Sequence, residues 1–416
     1  MPETSLNFYF ILILVILLGN YLLDIAVNLL NVRHAKVDLP REFQGYYDAG
    51  KYRQSQEYLK ENTRFGIIME SISTPVIIAF MVLGGFNAVD QFARCFHLGP
   101  IPTGLIFAGL LMLALQIFHL PFSIYETFVI EERYGFNRTT PRTFVLDILK
   151  GWLLVVVLGG ILLSLVLWFF GKTGTWAWLY CWLTMTLFQL IIMFIAPVVI
   201  LPIFNKYVPL ESGELRDAIE DYARSQNFKI KGVFKMDGSK RSSKSNAFFT
   251  GFGKFRRIVL FDTLMEKHPT RELISILAHE MGHYKKKHVL KSLILSFLTS
   301  GLMFFILSLF INNKGLFAAF QMEQTSIYAS LFFFGFLYSP IETALSILGN
   351  MLSRKNEYEA DAFAVKTFDR PDSMISALKR LSVENLSNLT PHPFKVFLGY
   401  SHPPVLERIR AIQDKR

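Results

Sequence analysis

Residues 271–287 read RELISILAHEMGHYKKK, and the rest of the chain is organised around this stretch. Leu273, Ile274, Ile276, Leu277 and Ala278 favour a helix, and within it His279-Glu280-Met281-Gly282-His283 forms an H-E-x-x-H pattern. Four residues apart on a helix, His279 and His283 share one face with their Cβ atoms ~5–6 Å apart. That spacing lets two imidazoles bind one zinc ion. Glu280 lies beside them, where a carboxylate can act as base toward a water that the metal activates. A catalytic zinc needs a third protein ligand and an open position. Downstream, SRKNEYEAD (353–361) offers Glu357 and Asp361, again four apart and so on one helical face. Glu357 is the expected third ligand, and Asp361 the acceptor that orients a ligating histidine through its other ring nitrogen. Glu359 competes as ligand, but it has no acidic partner four residues on.

The composition is that of a membrane protein. The chain has 416 residues, 52% hydrophobic and only 18% charged, with 40 Phe. Both figures depart from those of soluble domains. Cys95 and Cys181 are too few for a disulfide framework and lack metal-ligand spacing. The net charge of +10 comes without any nucleic-acid-binding motif, so no nucleic-acid partner is expected.

A membrane helix needs ~20 mostly apolar residues. Seven stretches qualify: 8–30, 65–89, 101–122, 151–170, 176–203, 289–311 and 327–348. Met1–Asn7 carries no Lys or Arg and no small-residue cleavage site follows, so the first stretch is expected to be a retained helix. Basic residues alternate between the connections. The first holds Arg33, Lys36, Arg41, Lys51, Arg53, Lys60 and Arg64, whereas the second has only Arg94. The third holds Arg133, Arg138, Arg142 and Lys150, the fourth only Lys172, and the sixth only Lys314; the fifth segment and the tail are again basic. By the positive-inside rule the N-terminus lies outside and both halves of the metal site face the cytoplasm. The Asn137-Arg138-Thr139 sequon then stays unmodified.

Thr270 is expected to cap the H-E-x-x-H helix, with no strong breaker between that helix and the sixth span. The seventh span is expected to run toward Glu357 with an interruption at Gly349. The site would then sit close to the membrane, which suits a lipid-tethered substrate. The two domains implied are 1–204, carrying five spans, and 205–416, a metallopeptidase unit that includes spans six and seven. Within the latter, 205–269 is predicted to be a small α+β unit, with a helix over 211–226 and strands at SNAFFT (245–250) and FRRIVLF (255–261). Proteases commonly bind peptide as an added strand, and SNAFFT is the candidate edge; a buried hairpin strand without substrate contact fits the sequence equally. The Asp237–Ser245 run is predicted to be a surface loop. Asp24, Glu70, Glu126 and Glu342 fall within spans, and Glu342 is the deepest.

Five motifs in order resemble the type 1 CAAX prenyl proteases: EERYGFNRTTPRTFVLDILKG (131–151), MDGSKRSSKSNAFFTGFGKFRRIVLFDTL (236–264), LAHEMGH (277–283), SRKNEYEADAFA (353–364) and SHPPVLERI (401–409). The resemblance implies a mostly α, seven-helix membrane protein enclosing a hollow chamber, with a small cytoplasmic α+β protease unit. It implies zinc, one per chain, on His279, His283 and Glu357, with Glu280 as general base. Asn246 and Ala247 match the strand that holds the substrate backbone. His402 and Arg408 match residues near the scissile bond or the substrate carboxylate, although His402 before two prolines also reads as a turn residue. Lys244 departs from the family's His. The implied reaction removes the last three residues of a prenylated C-a-a-X tail. The implied location is the endoplasmic reticulum in a eukaryote or the inner membrane in a bacterium.

Three alternatives bound this reading. A membrane quality-control protease would use the same zinc site on non-prenylated substrates. A site-2-type intramembrane protease needs an Asp-Gly after its H-E-x-x-H, but Asp237-Gly238 precedes it. A non-enzymatic channel or transporter has no use for the H-E-x-x-H with Glu357.

Overall fold

The structure is a computed structural model that describes residues 7–250, 257–368 and 370–414, and only the backbone at 248–250. Residues 251–256, which include the first two residues of the expected FRRIVLF strand, lie outside the described residues.

Helix α1 spans Phe8–His34 and starts where the Asn7 side chain accepts from the Phe10 amide. Helix α2, Ala49–Val82, is capped in the same way by Asp48, and Gly84 in a left-handed conformation turns the chain into α3, Gly85–Arg94. Helix α4 (Pro100–Tyr125) runs on through a π-helical stretch to Glu131. Thr140 caps α5 (Pro141–Leu154), which continues through a second π stretch into α6, Gly160–Lys172. Helix α7 (Ala177–Ile195) continues through a third into the short α8, Leu201–Phe204. Past α9 (Glu214–Ser225) come α10 (Asp262–Lys267), α11 (Thr270–Lys285), α12 (His288–Phe310), α13 (Lys314–Ala319) and α14 (Ile327–Phe368). The chain ends with α15 (Pro371–Glu384), α16 (Pro393–Gly399) and α17 (Val405–Gln413).

Among the described residues, seven helices are long and apolar enough to cross a membrane, in the seven places the hydropathy of the sequence marks; most have longer ends, but the second stops at Val82, short of the expected residue 89, because Gly84 turns the chain into α3. Three other local expectations differ. Pro269 occupies the cap position of α11 and Thr270 is its first helical residue. Helices α11 and α12 are two elements, because Lys287 adopts a left-handed conformation (φ 58°) between them. Lysines at 285–287 place positive charge at the carboxyl end of α11, where the helix dipole favours it. Helix α14 runs unbroken through Pro340 and Gly349 for 42 residues. A glycine costs a helix only ~1 kcal/mol relative to alanine, which neighbouring contacts offset.

The sheet has strands β1 (Tyr207–Pro209), β2 (Gly232–Met236), β3 (Ala247–Thr250) and β4 (Arg257–Phe261) in the order β1-β2-β4-β3. β2 and β4 are parallel, and the outer pairings are antiparallel. β3 is therefore an edge strand, as the SNAFFT reading requires, and it lies beside α11. A core of Ile219, Val233, Ile258, Leu260, Leu273 and Leu277 joins sheet, α9 and α11. Burial of each such side chain is worth ~1.5–3 kcal/mol. A second core rich in Phe, including Phe86, Phe107, Phe320 and Phe333, closes the far end of the bundle.

The Asp237–Ser245 run is more than a surface loop. Arg241 makes a two-pronged contact with Asp147 of α5 at 2.7 and 2.8 Å and also donates to Asn205. Asn137 bridges to Ser242, so the sequon faces the same side of the bundle as the protease unit. Lys244 donates to Glu131 at 2.8 Å and to the Tyr58 hydroxyl at 2.9 Å, and lies over the Phe136 ring. The first two resemblance motifs are thus one contact surface, with Lys244 as its charged centre.

Candidate metal centre

Gly282 sets how closely the two site helices approach. A Cβ there would lie 3.0 Å from Ala360 Cα and 3.1 Å from its carbonyl oxygen, so α11 and α14 meet backbone to backbone. One turn away on each helix, the ligand candidates converge. His279 Nε2 and His283 Nε2 are 3.1 Å apart, and Glu357 places Oε1 3.1 Å from His283 and Oε2 3.4 Å from His279. A tetrahedral ion with ~2.0–2.1 Å bonds has ligand atoms ~3.3 Å apart, so the two imidazoles and the carboxylate fit a single metal. Glu357 is 3% exposed, and its Oε2 receives no hydrogen bond from the protein. Arg408 Nη1 lies 3.1 Å from this oxygen and His279 Nε2 3.4 Å from it, so its charge is faced by the guanidinium.

Asp361 holds His279 Nδ1 at 2.8 Å, which leaves Nε2 turned toward the other two ligand candidates. Burial alone would lower the His279 imidazole, but the Asp361 and Glu357 carboxylates outweigh it and push it up to about 9. The same negative field favours a divalent cation. Arg408, buried, forks onto Asp361 at 2.8 and 2.7 Å and places Nη1 3.1 Å from Glu357. Burial opposes its charge, but Asp361, Glu357 and Glu280 hold the guanidinium firmly protonated. Glu280 stands at the cavity wall, where burial raises its carboxyl above the ordinary value against the pull of His279 and His283.

The sequence reading missed His288. It is 3% exposed, with Nδ1 3.1 Å from His283 Nδ1 and Nε2 3.1 Å from Glu359 Oε2. The proton positions follow. With His283 Nε2 turned to the ligand cluster, its Nδ1–H donates to His288 Nδ1, and His288 donates Nε2–H to Glu359. Glu359, the competing ligand candidate, is thus engaged with His288 and lies outside the His279–His283–Glu357 cluster. The pattern H-x-x-x-x-H over 283–288 was visible in the sequence, but the break at Lys287 that folds His288 back was not.

One cavity of about 600 Å³ gathers His279, Glu280, His283, Glu357, His402 and Arg408 with Asn246 and Ala247 of the edge strand. His402 is exposed, with 65% of its side chain open and its Nε2 3.5 Å from Glu357. Asp237 lies elsewhere, accepting from the Lys206 amide. A neighbouring cavity of about 490 Å³ is lined by Ser296, Thr299, Tyr338 and Glu342, and shares Ser292 and Ser353 with the site. Glu342 therefore faces a cavity of mixed lining, in which Met185, Leu295, Met303 and Leu345 stand beside the hydroxyl groups.

Comparison with known proteins agrees across the whole chain. Residues 28–206 match the family described as CAAX prenyl protease N-terminal, five membrane helices, and residues 209–416 match peptidase family M48. A CAAX prenyl protease 1 homolog of Arabidopsis thaliana is 37% identical, over 91% of each chain. CAAX prenyl protease 1 of Saccharomyces cerevisiae is 32% identical, over 91% of this chain and 89% of its own. The crystal structure of S. mikatae Ste24p superposes with a TM-score of 0.92 at 30% identity, covering 97% of this chain and 99% of that one. The chain is a multi-pass membrane protease and belongs to the M48 peptidases of the CAAX prenyl protease type.

Proposed function

We propose that the protein is a zinc endopeptidase that removes the C-terminal tripeptide of prenylated C-a-a-X proteins. The observation that carries this reading is the convergence of His279, His283 and Glu357 in one cavity with Glu280 and the edge strand β3. His279, His283 and Glu357 would hold the zinc, and the bound ion supplies Lewis acidity toward the peptide carbonyl and toward water. Asp361 and Arg408 keep His279 and Glu357 in place. Asn246 and Ala247 add the substrate backbone as a further strand beside β3. Glu280 accepts the proton of the attacking water and returns it to the leaving amine, and a carboxyl raised by burial suits both steps. His402, exposed at the cavity mouth, donates toward the developing oxyanion. Arg408, already shared with Glu357, faces the substrate carboxylate. In this reading 1–204 is the membrane domain and 205–416 the protease domain, the site faces the cytoplasm, and the membrane is the endoplasmic reticulum in a eukaryotic host or the inner membrane in a bacterial one.

The test is cleavage of a farnesylated C-a-a-X peptide and its unprenylated twin by purified protein, with and without a zinc chelator. Chelator-sensitive cleavage that favours the farnesylated peptide is expected. Equal cleavage of the two would move the role to general membrane proteolysis, and chelator-resistant cleavage would remove the metal.

A further inference from the structure

The end of the bundle away from the protease site is poor in basic residues. Its three connections carry one Lys or Arg each, namely Arg94, Lys172 and Lys314. Two of the three, from different connections, line a single cavity of about 800 Å³ together with His97. Among the described residues no Asp or Glu lines it. The distance from the metal centre is large, since Ile327 at this cavity and Glu357 are 30 residues apart on α14, or ~45 Å.

Arg94 is paired with Asp90 through Nε, one edge of its guanidinium. The buried carboxylate of Asp90 takes its Nε at 2.8 Å and also accepts from the Tyr328 hydroxyl. Nη2 is buried without a hydrogen-bond partner, while the Arg94 side chain as a whole stays 32% exposed. Lys172, the last residue of α6, has no carboxylate partner among the described residues. Helix α14 begins at the same cavity, and the positive end of its dipole adds to the field. The remaining wall is mixed, with Thr103, Asn312, Thr325, Ser326 and Tyr328 on one part and apolar side chains on the other. The apolar part includes Ile101 and Leu167, and Leu98 and Trp168 carry it out to the surface at 51% and 47% exposure. The volume is that of a site for a molecule much larger than a simple ion. Tryptophan at headgroup level is the usual marker of the membrane interface.

We propose that this cavity binds one anionic phospholipid, its phosphate among the Arg94 guanidinium, His97 and Lys172 and its glycerol and first acyl carbons along Leu98, Ile101, Leu167 and Trp168. Free phosphate shares the anion chemistry but has no use for the apolar side chains.

Native mass spectrometry of the full-length protein in detergent tests this, with phosphatidylglycerol, phosphatidylcholine and inorganic phosphate each titrated in. One phosphatidylglycerol per chain is expected, retained in preference to phosphatidylcholine. Lys172→Gln should weaken it about fivefold, the effect of one cation near a lipid surface. The double variant Asp90→Asn/Arg94→Gln leaves net charge unchanged, so a comparable loss there assigns the contact to the Arg94 guanidinium. Peptide cleavage by both variants should match the unmodified protein, which reports that the bundle is intact. Equal retention of the two lipids, adducts unaffected by either variant, or displacement of the lipid by millimolar inorganic phosphate would each overturn the proposal.

Discussion

Replacing His288 by Ala probes the metal centre without touching a proposed ligand or the base. In the folded protein His288 bridges His283 and Glu359 through two contacts of 3.1 Å and is 3% exposed. Its removal leaves the His283 Nδ1–H without an acceptor beside a new void. An unsatisfied buried donor costs ~1–3 kcal/mol. The His283 side chain is 22% exposed, so water recovers part of this, and the lower half of the range applies. Since 1.4 kcal/mol is a factor of ten, ~1–2 kcal/mol corresponds to zinc binding ~5–30-fold weaker. That agrees with the ~10–100-fold effects typical of the partners that orient metal ligands. Glu359→Gln keeps an acceptor for His288 but loses the charge, so its effect should be about threefold, near the lower bound for a hydrogen bond. His288→Gln restores an acceptor near His283 Nδ1 and should recover most of the loss. The assay is competition with a chromogenic chelator on the purified protein. It is paired with the visible spectrum of the cobalt-substituted form and with the unfolding temperature of metal-stripped protein. Wild-type zinc affinity and an unchanged cobalt spectrum in His288→Ala would refute the orienting role. A lowered unfolding temperature with unchanged affinity would leave His288 with packing alone.

Further perturbations read other parts of the same architecture. Glu280→Gln should retain the metal and the fold while losing at least ~10²-fold in cleavage rate, measured on a C-a-a-X peptide, because the ligand set survives and the base does not. Gly282→Ala should cost ~1–3 kcal/mol and lower metal content, since its methyl meets the Ala360 backbone at 3.0 Å and parts the two ligand-bearing helices; thermal unfolding and metal analysis report both effects. Glu272 anchors α11 to α15 by accepting from Ser376 and from Arg380 at 3.0 Å, and from His268. Burial raises its carboxyl, but these donors outweigh it and hold it below its ordinary value of 4.5. A depressed folded-state value stabilises the protein above that pH and is lost as pH falls below it. The unfolding temperature of the unmodified protein should therefore drop more steeply below about pH 4.5 than that of Glu272→Gln.

Much of this protein was legible in one dimension because two of its patterns are local. Runs of ~20 apolar residues have few ways to avoid a bilayer, so hydropathy alone located the seven long helices. The i, i+4 spacing of His279 and His283 is a property of any helix, and so is that of Glu357 and Asp361. Pairing these two helices was a chemical inference, from the number of donors a metal needs. What sequence could not show is how the chain turns between such elements. The left-handed Lys287 that separates α11 from α12 follows no residue rule, and it is what brings His288 onto His283. The unbroken course of α14 past Gly349 depends on neighbours that outweigh a local penalty. The pairing of Lys244 with Glu131 joins residues 113 apart in sequence, and only the folded chain brings them into contact. Arg94 and Lys172 likewise read as isolated charges until the bundle set them around one cavity. Sequence determined the long helices, the strands β3 and β4 and the inventory of donor groups, because these depend on neighbours a few residues away, whereas β1 and β2 were not read from it. Tertiary structure decided which of those groups meet, because that depends on backbone approach such as the Gly282–Ala360 contact and on turns whose cost is met by packing elsewhere.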